Sequence, residues 1–479
     1  MTTKDLTAID RDIIAEIWTS EEAYENLVYL CDECGSRFGG TEGERRAVDF
    51  MAAKLRQYGL ENVRLEEVAY NSWTRGTAKL EVLSPVRTEL PCIALPYCPS
   101  GTVEADLAFV GQGHPQDYED KAEAIKGNIA MVSTKPPAFM RRGMHRMEKY
   151  FRALEKGAVG FIWMREEGGL LPETGSLTFN AAAPTLGIGV SKEVGATLLR
   201  MAKKGKVRLR ITAENTIKPA VSWNVVGDIP GRADSAHRDS VLVFGGHFDG
   251  HDISQGAMDD GSGAVVAMEA ARGLARHKGK LDRTVRVICF PLEEIGLIGS
   301  HSYVDRHAGA GDEIPKVEFM LNLDGAGRGG ETAIVLQGWT ELRGLFNDIG
   351  KDMKQPLIAV SQISPYSDMF PFALAGVPSA TMQAISEGPR TGRGWGHTAA
   401  DTLDKVSPRG LQMDALTVAR VFLRLATLEA GTPGAGLPKA TWKGTWPAAR
   451  KGPAELKALL GEQDLLDVLR VEGRYPFKD

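Results

Sequence analysis

The chain has 479 residues, 43% hydrophobic and 25% charged, a composition that predicts a globular protein large enough to bury a core without disulfide staples. A net charge of −5 and a pI near 6.1 argue against a nucleic-acid binder, which carries a basic field. The opening stretch MTTKDLTAIDRDIIAEIW has no signal-peptide pattern, and no apolar run is long enough to predict a membrane partner, so an odd set of five cysteines reads as free thiols in a reducing, cytoplasmic setting.

Residues 19–34 read as a helix, with Thr19 and Glu22 at capping-box spacing; Cys31 and Cys34, a lone C-x-x-C, read as thiols at its end because no second pair completes a metal site. A second box, Thr41 and Glu44, opens a helix with Val48, Met51, Leu55 and Tyr58 on one face and Gly59 as its cap. NVRLEEVAY and TAKLEVL then alternate as strands. From residue 86 to 217 short strands (DLAFVG, NIAMVS, GFIWM, VRLRITA) follow one another with few helical patterns, which predicts a β-rich insert between an N-terminal piece, 1–85, and a main domain, 218–432, to which that piece belongs. Within 218–432, apolar β-branched strands alternate with helical segments, the mark of an α/β fold with a mixed, mostly parallel sheet flanked by helices. Residues 433–479 start Gly/Pro-rich and end in a short amphipathic helix, expected to pack on the 218–432 domain or on a second subunit of a homodimer.

Three strands of the second half end in polar residues: VLVFGG at His247 and Asp249, VRVICFPL at Glu293 and Glu294, VEFMLNL at Asp324. Strand carboxyl ends are where open α/β sheets form sites, so these groups can converge. Asp259 and Asp260 lie in GAMDDGSG just before a helix, where Gly261 and Gly263 permit tight turns, and His397 lies in a later glycine-rich loop. Two histidines and three carboxylates suit two zinc ions, with cobalt or manganese as alternatives on the same N/O donors. One carboxylate must bridge, and Asp259, on the helix-start loop, is the best placed. One member of the Glu293–Glu294 pair ligates while the other is left as general base. Asp249 is the expected acceptor for the second N–H of His247, and Asp401 a similar partner for His397. His251 and Asp252 read as loop structure. Tyr366, Arg393 and Trp395 are candidates for the cleft wall.

The ordered motifs H-x-D, G-A-x-D-D-x-S-G, E-E, N-L-D-G and G-H-T-x-x-D-T resemble the co-catalytic zinc exopeptidases of the aminopeptidase S and carboxypeptidase Q type. GSRFGGTEGERRA and SDMFPFALAGVPS are similar to other segments of that family, and 86–217 resembles a protease-associated domain. The resemblance implies one metal on His247, Asp259 and Asp324, a second on Asp259, Glu294 and His397, and Glu293 as the base. It also implies a cis bond between Asp259 and Asp260, and a peptide substrate cut next to a chain end by an aminopeptidase or dipeptidase. Met369 departs from the pattern at a position that is not a ligand. The competing readings are another two-metal amidohydrolase, a glutaminyl-cyclase-like enzyme, and a non-catalytic binding protein on the same fold.

Overall fold

The computed structural model describes residues 3–137, 140, 142–327, 330–385 and 394–477. Its strands are, in chain order, β1 (Glu61–Ser84), β2 (Thr88–Leu90), β3 (Ile93–Ala94), β4 (Gly101–Gly111), β5 (Ile129–Ser133), β6 (Gly160–Met164), β7 (Leu186–Val190), β8 (Arg208–Ile229), β9 (Val241–His247), β10 (Thr284–Phe290), β11 (Val317–Asn322), β12 (Glu331–Leu336), β13 (Ile358–Ser361) and β14 (Ser379–Ile385).

The two stretches expected as separate strands before residue 84 are one strand, β1, and it pairs antiparallel with β8 along nearly its whole length, from Glu61 opposite Asp228 to Ser84 opposite Arg208. The other edge of β8 is shared. Its last residues pair with β10 and its first with β4. A single sheet therefore runs β13-β12-β14-β11-β9-β10-β8-β4-β5-β6-β7-β3, with β1 and β2 beside β8. Strands β14, β11, β9 and β10 are parallel neighbours.

Two hydrophobic clusters flank the long ribbon. The larger one packs helices against the β9–β11 region. Val265, Met268 and Leu274 of helix Ser262–Ala275 and Leu411, Val418 and Phe422 of helix Pro408–Thr427 are fully buried in it, with Phe422 edge-on to Phe244 at 4.7 Å. The second cluster is built mostly from β3–β8, with Phe161, Ile162 and Ile188 fully buried. The stretch expected to have few helices carries four, Pro115–Asp120, Ala122–Ile125, Arg146–Glu155 and Lys192–Ala202. The first three arise because β4, β5 and β6 are parallel neighbours, which need crossover connections, and Lys192–Ala202 lies in the return from β7 to β8.

The capping expectations divide. Thr41 caps helix Glu42–Gln57 by accepting from the Glu44 N–H at 3.1 Å, and Gly59 follows the helix in a left-handed conformation, φ +83°. Thr19 caps nothing: its hydroxyl donates back to the Ala15 carbonyl of the first helix, Thr3–Trp18, and the next helix, Glu22–Val28, starts from Glu21. Threonine can close one helix as readily as open another, and spacing alone does not separate the two. All five cysteines are unpaired thiols. At the C-terminus, Leu460, Leu465, Val468 and Leu469 pack on Ile363 and Phe370.

Candidate active site

Register brings the polar strand ends together. His247 ends β9 opposite Phe290 of β10, and Asn322, the last residue of β11, lies opposite Gly245. Glu293 and Glu294 follow β10 and Asp324 follows β11, so all four leave the same end of three adjacent strands.

Asp259 stands between the two histidines. One carboxylate oxygen lies 3.7 Å from His247 Nε2 and the other 3.4 Å from His397 Nε2. The Asp259–Asp260 peptide is cis. Asp401 holds this loop, accepting from the Met258 N–H at 2.8 Å and the Asp259 N–H at 3.2 Å. Its expected role toward His397 is therefore replaced. His397, at φ +60°, points Nδ1 to the Thr174 carbonyl at 3.2 Å, and the Thr174 N–H donates to the His397 carbonyl at 2.8 Å. Gly263 is needed for closeness, not for a turn: a Cβ there would come within 2.2 Å of Asp260 Oδ2 and 2.5 Å of the Leu323 carbonyl.

Asp249 lies 3.4 Å from His247 Nδ1, but the closer partner of that nitrogen, at 2.9 Å, is the Asp249 backbone carbonyl. Its carboxylate accepts from the Glu293 and Glu294 N–H groups at 3.1 and 3.2 Å, and so fixes the Glu-Glu turn. Ser367 donates to Asp324 Oδ2 at 2.6 Å.

Two compact groups of candidate ligand atoms result, each within 4.8 Å: His247, Glu293 and Asp324, and His251, Glu294 and His397. The adjacent glutamates are driven apart. Burial raises Glu293 well above the usual carboxylate range, with Asp324 and Glu294 adding to it and His247 opposing. Burial also penalises the charge on Glu294, but His251 and His397 outweigh it and hold that carboxyl well below its usual range. The donors are all imidazole nitrogen and carboxylate oxygen, and His247 Nε2 and Glu294 Oε1 are buried without a hydrogen-bond partner. Such a set fits zinc.

Three contributors were not assigned from the sequence. His251, read as loop structure, is 1% exposed and stands against Glu294 and His397. Its signal was the repeat of histidine four residues after His247 beside the metal motif. Arg37, fully buried in the quoted GSRFGG segment, donates to the carbonyls of Phe248, Gln255 and Gly256 and so shapes the loop under Asp259. Thr174 acts through its backbone, which leaves no mark in a sequence. Tyr366 lines the site and stacks on His145 at 3.9 Å between ring centroids. Trp395 is 43% exposed beneath Lys405, and Arg393 lies outside the described residues. Beyond His145, Arg146 and Tyr366 opens a cavity of about 980 Å³, lined also by Trp163, Glu166 and Gln362.

A sequence profile of peptidase family M28 matches residues 224–422, the stretch that carries every one of these strand ends. Residues 224–422 therefore resemble an M28 peptidase domain. The M28 match is accompanied by likeness along most of the chain. Carboxypeptidase Q of Mus musculus is 26% identical over 423 residues, covering 86% of this chain and 87% of that one. Aminopeptidase YwaD of Bacillus subtilis (strain 168) is 29% identical over 416 residues, 84% of each chain. The solved structure of BSAP, a zinc aminopeptidase from Bacillus subtilis, superposes with a TM-score of 0.63 at 25% identity, covering 84% of this chain and 94% of that one.

Proposed function

We propose that the protein is a zinc-dependent exopeptidase that uses two metal ions and acts as an aminopeptidase or dipeptidase. The observation that carries the reading is the position of Asp259, one oxygen toward His247 and the other toward His397, which is what a bridging carboxylate requires. His247, Asp259 and Asp324 would hold one ion, and Asp259, Glu294 and His397 the other. Bound zinc supplies Lewis acidity toward a carbonyl and lowers the pKa of water.

The chain's own part is proton transfer and alignment. Glu293 is the base: it takes a proton from the attacking water as the C–O bond forms at the scissile carbonyl carbon, then delivers it to the leaving amine nitrogen as the C–N bond breaks. Asp249 aligns Glu293 through the backbone, and Asp401 aligns Asp259. The cavity behind the His145–Tyr366 stack offers room for the rest of the peptide. We read 86–217 as a protease-associated-like insert, supported by a hydrophobic cluster built mostly from its own residues, and place the protein in a reducing compartment such as the cytoplasm, supported by five unpaired thiols.

The test measures metal per chain and then turnover of aminoacyl amides, dipeptides and N-blocked peptides. Two zinc ions and cleavage that requires a free amino terminus are expected. Cleavage of blocked peptides alone would remove the aminopeptidase reading.

A further inference from the structure

We propose that His251 is a further metal ligand, adding a second imidazole to the position formed by Glu294 and His397. The inference rests on the two-metal reading and goes beyond it, since the motif pattern gives that position one histidine only.

His251 is 1% exposed, its Nδ1 has no hydrogen-bond partner, and its Nε2 turns toward the Glu294 carboxylate. A buried imidazole that shares one carboxylate with a second imidazole is incompletely satisfied, and a cation is a partner on which both convergent nitrogens and the carboxylate can close. Its Nε2 lies 2.8 Å from Glu294 Oε2, and that oxygen lies 3.0 Å from His397 Nε2. The His251 and His397 rings meet edge to face with centroids 4.3 Å apart, so the two imidazoles approach the carboxylate from different sides.

The ring is also held rigidly. The next residue, Asp252, is clamped by both arms of Arg75 at 2.6 and 2.7 Å, and Arg37 fixes the carbonyls on either side of the loop. Such anchoring holds a ligand in place before the ion arrives.

A second acid–histidine cluster shows the contrast. Glu66, His307 and Glu313 also come together, but Arg64, Arg286 and Arg306 already neutralise those carboxylates. Among the described residues, the Glu294 carboxylate is faced by the imidazoles of His251 and His397 and by no arginine or lysine ion pair.

The experiment loads the metal-free wild-type protein with cobalt(II) and counts solvent-exchangeable, hyperfine-shifted imidazole N–H resonances by proton NMR. Three are expected, from His247, His251 and His397. Two resonances with two bound cobalt ions would overturn the assignment and leave the two-metal reading standing; no bound metal would overturn both. His251→Phe is expected to lose one of the three resonances. It should also bind its second zinc more than about 10-fold more weakly, the lower end of what loss of even an outer partner costs. Unchanged affinity in a folded His251→Phe protein would likewise refute the proposal.

Discussion

At the residue scale, the two adjacent glutamates show how one dipeptide does two jobs. Glu294 is buried and Glu293 partly exposed at the same turn, and Asp249 anchors both of their N–H groups. Their difference comes from what faces each carboxyl: histidines at Glu294, acids together with His247 at Glu293. Replacing Glu293 with glutamine keeps the shape and removes the exchangeable carboxyl. Its kcat is expected to fall by roughly 10²–10⁴-fold, the usual contribution of a positioned acid–base group, while zinc content stays at the wild-type level. Wild-type turnover in Glu293→Gln would exclude it as the base. The chain's chemistry-bearing side chains were legible as residue types at strand ends. Arg37 and Thr174 were not, because one acts on carbonyls and the other is a carbonyl, and neither pattern constrains neighbouring side-chain identity.

At the scale of elements, helix Glu42–Gln57 was readable from its cap and face, but its electrostatics were not. Glu44 accepts from the Gly40 N–H at 2.7 Å and from the Ser222 hydroxyl on β8, which ties the helix start to the long ribbon. Burial pushes its carboxyl up to about 7, against those two hydrogen bonds. The folded state thus keeps a proton on Glu44 between its ordinary 4.5 and about 7, where the unfolded chain has released it. Stability from this group is complete below 4.5 and is lost as pH rises through 7. A glutamine there stays neutral. Relative to wild type, Glu44→Gln should gain on the order of 3 kcal/mol between pH 4.5 and pH 8, the equivalent of the shift, offset at every pH by about 1 kcal/mol for a lost hydrogen bond. Urea midpoints at the two ends of that range check it, and a pH-independent difference would contradict the shift. The long strands teach a related lesson. The alternation in 62–70 and 77–83 was visible, but their fusion into β1 depends on pairing with β8 more than a hundred residues away, and local periodicity carries no partner. The helices between β4 and β7 likewise follow from parallel pairing, a tertiary choice.

At the scale of the molecule, the site joins the two hydrophobic clusters. His247, Glu293, Glu294 and Asp324 belong to strand ends over the larger cluster, whereas His397 is held by the backbone of Thr174, in the segment between β6 and β7. The same space buries Asp249, Asp259, Asp260, Glu294, Asp368 and Asp401, each less than 10% exposed. Carboxylates that close repel one another unless a cation or a proton intervenes. Zinc that binds only the folded arrangement should stabilise it by about 4 kcal/mol when free metal is a thousand times its dissociation constant. Chelation is therefore expected to lower the melting temperature and zinc to restore it. The Thr174–His397 backbone pair adds a spatial signature. Hydrogen exchange should slow on zinc addition both in peptides covering 394–401 and in peptides covering 173–177, because ordering His397 orders the strand of chain that holds it. Protection confined to 394–401 would mean that the two clusters are not coupled through the site, and an unchanged melting temperature would mean that the acids are compensated without metal.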